Sequence, residues 1–455
     1  MRIGNPRHAA DTPHDGHGAA GARSVGLPVA VILCVLLIVG AAAGALYLRG
    51  ASQQGTSTQT SQSQSVVDAD LDRPSAVPTV AEHHGNSPDC PDRDCIALMV
   101  NGDLLFHPHL WEHFQGADPA ATDGSAFDFV PLLQPMQRYM KASDISVCEF
   151  ETPIAQRGGP YTGYPVFAIP PEVADAAAKV GFQACTHATN HSWDQGAEGV
   201  NRLWDTLAGL GIQQTGSYKT EADSMKPLVI DSPTGGGKLG LVTGTVSLNG
   251  FEADADWRVD RLREASDPHH QSDIDRAVAK AKAARQQGAD VVAMAMHSVQ
   301  EYIDDADDWQ VSEAHELADT GAFDVIYGAG CHCVQPIEKY KNTWIIYGTG
   351  NAVTTDAPAS RIVNNQGMTA RIQFAGKKGE DGSWRVSRID WLPTANRRGA
   401  DYRWCPISDD HPDGTCWSTE QDAQVRQRIH DVIYKRGADP NVVREWLVTK
   451  EGSGK

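Results

Sequence analysis

Seven short apolar runs recur along this chain, and they restrict the possible folds more than any other feature. They are IALMV (96–100), DISVC (144–148), FQACT (182–186), LGLVTGTV (239–246), VVAMAM (291–296), FDVIYG (323–328) and TWIIYG (343–348). Continuous Val, Ile, Leu and Met runs of this length suit strands buried on both faces of a sheet. Between them lie PPEVADAAAKVG, GAEGVNRLWDTLAGLG and SDIDRAVAKAKAARQQGAD. In the second, Val200, Leu203, Trp204 and Leu207 recur at helical spacing, and each of the three meets a glycine at or just past its end. TARIQFAG and WRVSRIDWL, joined by the polar KKGEDGS, read as an antiparallel hairpin, and TEQDAQVRQRIHDVIYKRG as a C-terminal helix. The class is α/β, a sheet sandwiched by helices.

The flanks differ in kind. The run LPVAVILCVLLIVGAAAGALYL, Leu27 to Leu48, carries no charged residue and matches the ~20 residues that span a bilayer as a helix. Arg2, Arg7 and Arg23 precede it, which favours an inside N-terminus. A cleaved signal peptide is the alternative, but the apolar core exceeds a usual signal h-region, so the reading is an uncleaved transmembrane signal anchor. Either way the rest of the chain is exported, as a single-pass protein of the cell membrane with its C-terminal domain outside the cytoplasm. Residues 1–26 read as a disordered cytoplasmic tail and 49–89 as a Ser/Gln/Pro-rich linker. The main domain is expected over 90–400, followed by a C-terminal disulfide loop and helix over 401–455.

Of the nine cysteines, Cys90 and Cys95 form one close pair and Cys405 and Cys416 another, and outside the cytoplasm such pairs read as disulfides. Cys148, Cys185, Cys331 and Cys333 are buried thiols or further bridges. A formal charge of −19 argues against nucleic acid as a partner and would repel a polyanion, unless a cation-filled site draws it in locally.

The residues just past each run carry the chemistry. After IALMV come Asn101, Gly102 and Asp103; after DISVC come Glu149 and Glu151; after FQACT come His187, Asn190, His191 and Asp194. VVAMAM is followed by His297 and Glu301, FDVIYG by His332, and TWIIYG by Asn351. C-terminal strand ends line the ligand crevice of α/β sheets. A set of Asp, Glu, Asn and His gathered there suits divalent transition metals. Singly, each residue has an ordinary explanation: Asn-Gly-Asp is a turn signal, and Asn190-His191 could cap the next helix. A zinc clamp made of Cys331, His332 and Cys333 is disfavoured, because adjacent ligands rarely suit one tetrahedral ion.

The ordered motifs NGD, FETP, ATNHSWDQG, HSVQEY, GAGCHCVQPIE and YGTGN resemble the capsule-biosynthesis protein CapA family, also called poly-gamma-glutamate synthesis or PGA_cap proteins. The resemblance covers roughly residues 95–355. The family is related to the calcineurin-like metallophosphatases, so it implies a four-layer metallophosphatase-like sandwich of two mixed sheets flanked by helices, with one N-terminal transmembrane helix. It implies metal ligands at Asp103, Glu151, Asn190, His297 and His332, and catalytic roles for His191, Asp194 and Glu301. The implied cofactor is one or two divalent ions (Mn, Fe or Zn). The implied activity is metal-dependent hydrolysis or transfer at the cell envelope, on a polymer such as poly-gamma-glutamate or on a phosphoester, beside other capsule-synthesis membrane proteins. A non-catalytic factor that anchors or assembles an anionic polymer is the alternative. The chain departs from the family pattern where the Asn of N-L-E-x-P is Glu149, where Trp and Gly of H-W-G are Ser298 and Val299, and where the first His of G-H-x-H is Gly330.

Overall fold

The run IALMV grows into a longer strand, β1 (Asp94–Leu104), buried along its whole length. Asn101-Gly102-Asp103 is therefore strand, not turn. A Cβ at Gly102 would stand 1.6 Å from the Gly350 carbonyl oxygen, so only glycine permits that backbone contact. The computed structural model describes residues 90–116, 126–355, 363–398 and 402–448. The sequence-predicted tail, membrane span and linker lie outside the described residues. Among the described residues no helix is long and apolar enough to cross a membrane.

After β1 come the short helices α1 (Pro108–His113), α2 (Val130–Leu133) and α3 (Gln137–Lys141), then β2 (Ile145–Glu149), α4 (Glu172–Val180) and β3 (Ala184–Thr186). Helix α5 (Gly196–Gly209) leads to β4 (Gln213–Thr215), and the short α6 (Glu221–Ser224) comes next. A second group is β5 (Leu228–Asp231), β6 (Lys238–Thr245), α7 (His270–Gln286), β7 (Val291–His297), α8 (Asp308–Asp319), β8 (Val325–Ala329), β9 (Ile337–Tyr340) and β10 (Thr343–Ile346). The chain then returns through β11 (Asn351–Val353), β12 (Gln366–Gly376), β13 (Arg385–Arg397), β14 (Arg403–Pro406), α9 (Thr419–Ile433) and β15 (Val443–Glu445).

The residue pattern alone suggested one sheet; the strands form two, both mixed. The first runs β14-β13-β12-β1-β2-β3-β4, with β11 paired to β1 and β15 to β13, and the second runs β5-β6-β7-β8-β10-β9. The sequence-predicted hairpin is β12–β13, and the C-terminal segment adds β14 and β15 to the same sheet. Within them, β1–β2–β3–β4 and β6–β7–β8–β10 are parallel, so their C-terminal ends share a side.

Side-chain alternation along β1 explains the burial on both faces. Ile96, Leu98 and Val100 join Leu241, Ala293, Ala295 and Tyr327 of the second sheet in a core between the sheets. Met99 points the other way, into a cluster with Val173 and Ala177 of α4 and Leu203 and Leu207 of α5. Outside the second sheet, Ile274, Ala277 and Ala281 of α7 and Ala314 and Leu317 of α8 cover Val292, Met294 and Ile326. Fully burying a side chain such as Leu or Ile contributes roughly 1.5–3 kcal/mol, which makes these faces the main stabilising term.

Three disulfides form: the close pairs Cys90–Cys95 and Cys405–Cys416 and, between them along the chain, Cys148–Cys185. The middle bridge joins opposed residues of β2 and β3, one position before Glu149 and Thr186, so it fixes two strand ends that carry polar groups. Cys331 and Cys333 are free and buried.

Candidate metal centre

The parallel strands deliver their polar ends to one place. Asp103 sits near the end of β1 and is fully buried. Its two carboxylate oxygens accept the Gly330 N–H at 3.1 and 3.2 Å, and Oδ2 lies 3.1 Å from His332 Nδ1. Glu149 closes β2, where its Oε2 accepts from Thr186 Oγ1 at 2.8 Å and its Oε1 lies 2.8 Å from His297 Nδ1. His297, the last residue of β7, turns its Nε2 to Asn190 Oδ1 at 3.0 Å. His332 lies just past β8 with a left-handed φ of 57° and sets Nδ1 2.9 Å from Asn351 Oδ1. Its Nε2 lies 3.8 Å from Glu151 and 3.9 Å from Glu301.

Two candidate ligand sets result. Asp103, Glu149 and His297 form one and Asp103, Glu151 and His332 the other, each with ligand atoms within 4.8 Å of one another. Sharing one carboxylate between two sets suits a pair of ions about 3.5–4 Å apart. Asn190 adds an amide oxygen beside the first set, and Glu301, whose side chain is 35 % exposed, borders the second.

The fit to cations rests on Glu151. It is 1 % exposed, and neither carboxylate oxygen has a hydrogen-bond partner. A buried carboxylate without a donor is costly, and a metal ion removes that cost. Burial, then the neighbouring Asp103, pushes its carboxyl well above the ordinary range; burial also raises Glu149. His332 answers in the opposite sense. Burial opposes its protonation, but Glu151 and Asp103, with Glu301, overcome it and carry the imidazolium up to about 10. In the metal-free chain a proton holds the position that the surrounding anions demand for positive charge.

A second group borders the ligands. His191 Nδ1 lies 2.7 Å from Asp194 Oδ2, which also accepts the Phe167 N–H at 2.8 Å. The Phe167 ring meets the His191 ring edge-on at 4.7 Å, fixing its plane. With Nδ1–H given to Asp194, Nε2 is left to exchange a proton. Asn249 joins this group, accepting from Asn190 Nδ2 at 3.3 Å.

The eight sequence-predicted residues thus fall together, with Asp194 touching His191 rather than a ligand set. Glu149 is a ligand candidate that the sequence placed among the polar strand ends but left outside the implied ligand set. Asn249 was missed, although it comes after β6 as the other residues come after their strands. Phe167 comes from the long segment after β2, which has no periodic signal. His187 stays outside: Gln214 and Ser217 satisfy both ring nitrogens, and burial lowers it to about 4, a neutral core histidine. Cys331 and Cys333 give their thiol hydrogens to the Cys333 and Ile303 carbonyls, and neither thiol belongs to a candidate ligand set.

Gly330 occupies the position where the family pattern places a histidine. Its φ is +83°, and an added Cβ would meet Ser298 O at 2.1 Å and His297 Nε2 at 2.6 Å.

Comparison with known proteins covers the same stretch of chain. The family model described as bacterial capsule synthesis protein PGA_cap matches residues 97–356. The probable polyglutamine synthesis accessory protein of Mycobacterium tuberculosis (strain H37Rv) is 27 % identical over 217 residues, covering 47 % of this chain and 56 % of that protein. The PGA biosynthesis protein CapA of Bacillus subtilis (strain 168) is 28 % identical over 216 residues, covering 46 % of this chain and 51 % of that one. The chain therefore spans about half the length of the curated relatives it matches. Among solved structures, the calcineurin-like phosphoesterase YfkN from Bacillus subtilis aligns with a TM-score of 0.39 at 12 % identity, over 74 % of this chain and 97 % of that one.

Proposed function

Because the chain belongs to the bacterial capsule synthesis protein PGA_cap family, we propose that it is a metal-dependent hydrolase or transferase of the cell envelope. Its substrate on this reading is an envelope polymer such as poly-gamma-glutamate, or a phosphoester. The observation that carries the proposal is Glu151, buried and without a donor beside an Asp103 shared by two ligand sets. Mixed carboxylate, amide and imidazole donors suit Mn, Fe or Zn, in one or two positions.

Such ions supply Lewis-acid polarisation and hydroxide near neutral pH. The chain's own residues do the rest. Asp103, Glu149, His297 and Asn190 hold one position, and Asp103, Glu151 and His332 the other. Thr186 keeps Glu149 oriented, and Asn351 does the same for His332. His191, oriented by Asp194 and Phe167, is the proton donor to a leaving group through Nε2. Glu301, at the open side, holds an incoming water or a polar substrate group.

The Leu27–Leu48 run supports an anchored, exported protein, as do three disulfides, which persist in oxidising compartments. Protease added to intact cells would then digest the disulfide-bonded domain.

Activity is tested on the full-length chain loaded with Mn, Zn or Fe, using a phosphodiester and poly-gamma-glutamate as substrates. Metal-dependent turnover that disappears in Asp103→Ala supports the proposal, and failure to bind metal under every loading condition sinks it. Gly330 favours a second reading, a non-catalytic envelope factor that anchors or assembles an anionic polymer. A double Asp103→Ala, His191→Ala variant that still complements a deletion strain would establish that reading instead.

A further inference from the structure

Away from the strand ends, helices α7 and α8 bring together three groups that no capsule-family motif includes. His270 is the first residue of α7, and Glu313 and Glu316 lie one turn apart on one face of α8. His270 Nδ1 lies 2.7 Å from the Arg263 carbonyl oxygen, which can only accept, so Nδ1 carries the hydrogen. Nε2 then faces Glu316 Oε2 at 3.0 Å. In the neutral ring that contact sets one lone pair against another, and it needs a positive charge between them.

Glu313 makes the same demand independently. It is 2 % exposed, and its Oε1 has no hydrogen-bond partner. Its Oε2 lies 3.7 Å from His270 Nδ1, whose hydrogen is already given to Arg263. The charged groups acting on it are His270, Glu316 and Asp273, and Asp273 is itself paired with Arg263 at 2.8 Å. Protonating His270 would satisfy Glu316 but leave Glu313 Oε1 with no donor.

We propose that His270, Glu313 and Glu316 form a second divalent-metal site, taking zinc or manganese. One ligand atom from each lies within 4.8 Å of the others, compatible with bonds of about 2.0–2.2 Å to one ion. A hydrogen bond from Nδ1 to a backbone carbonyl is the usual support of a histidine that ligates through Nε2. The His270 and Glu316 side chains are 12 % and 43 % exposed, so the ion enters from solvent and water completes its shell. Without an ion, burial pushes Glu313 up to about 7 although His270 opposes the shift. A bound ion ties the first turn of α7 to the middle of α8.

The site is independent of the proposed activity, and the test counts metal rather than turnover. The full-length chain is stripped with chelator and dialysed against zinc or manganese, and bound metal is measured by mass spectrometry. Asp103→Asn, which disables the strand-end centre, should retain one equivalent per chain, and adding Glu316→Gln should remove it. Glu316→Gln alone should bind one equivalent fewer than the unmutated chain. Glu316 is half exposed, so the exchange leaves the fold intact, which circular dichroism checks. Equal metal content with and without Glu316→Gln, or no metal in Asp103→Asn, overturns the proposal.

Discussion

Replacing Gly330 by histidine would restore the family's H-x-H pair, yet the structure predicts loss rather than gain. The residue sits at φ +83°, where an L side chain costs roughly 1–2 kcal/mol. An added Cβ would stand 2.1 Å from Ser298 O and 2.6 Å from His297 Nε2, well inside the ~3.5 Å of ordinary contact. Neither neighbour is a free chain end: Ser298 N–H donates to Ala329 O, and His297 is held by Glu149 and Asn190. Overpacking of this kind costs about 1–3 kcal/mol, so the total comes to about 2–5 kcal/mol. Folded proteins hold only about 5–15 kcal/mol in all. At about 2 °C per kcal/mol for a domain this large, the melting temperature of the metal-free full-length chain should fall by ~4–10 °C. Gly330→Ala should show a similar fall, since the Cβ and the backbone cause it rather than the imidazole. Both variants should also bind less metal, because the displaced His297 belongs to a ligand set. A Gly330→His protein that melts normally and holds more metal than the unmutated chain would refute the steric reading.

The same structure sets further outcomes. His332 is raised from its ordinary value near 6.5 to about 10, so its contribution to metal-free stability is whole below pH 6.5 and is lost as pH climbs through 10; Glu151, also raised, acts in the same direction, and melting scans in chelator check both. Added Mn or Zn should reverse that slope, because metal competes with these protons and binds more tightly as pH rises. Asp194→Asn should reduce turnover by about 10²–10⁴-fold while bound metal stays constant, since Asp194 orients His191 and belongs to neither ligand set. Breaking Cys148–Cys185, whose ends are 37 positions apart, should cost about 4 kcal/mol on the chain-entropy relation, read from denaturant unfolding of the Cys148→Ala, Cys185→Ala protein. Glu149→Gln should remove one metal position and leave the Asp103–Glu151–His332 set loaded, as a titration of bound Mn would report.

Asp103, Glu151, Asn190, His191, His297 and His332 were legible because each comes just after a buried apolar run, and parallel strands bring such positions to one side. The division into two mixed sheets was not legible in the apolar runs; only the family resemblance implied it. It depends on β4 and β5 failing to pair, and their letters, QQT and LVID, look like any other short strand. Nor was the Cys148–Cys185 bridge, which needs the register of β2 against β3 rather than either sequence. Contacts across long chain separations escaped for the same reason. Glu149 meets His297 across 148 residues, and nothing local to either announces the other. Phe167 is harder still, since its place beside His191 is set by a segment with no regular periodicity.

The two departures from the family pattern acquire a meaning together that neither has alone. Gly330 lacks a nitrogen donor, and Glu149 adds a carboxylate where the pattern has Asn. They are far apart in sequence but converge on one side chain: the missing Cβ would press on His297 Nε2, and the added carboxylate engages His297 Nδ1. Both changes therefore bear on the set Asp103, Glu149 and His297 and spare the set built on Glu151 and His332. With Asn190 Oδ1 the altered set still offers four donors, enough for a tetrahedral ion. Simple decay of a metal site would leave a ligand absent and its neighbours without partners. Here the neighbour is held at both ring nitrogens, and Gly330 places its own N–H on Asp103. Were an ion to occupy that set, a neutral nitrogen exchanged for an anionic oxygen would make the position harder and more negative, favouring manganese over zinc.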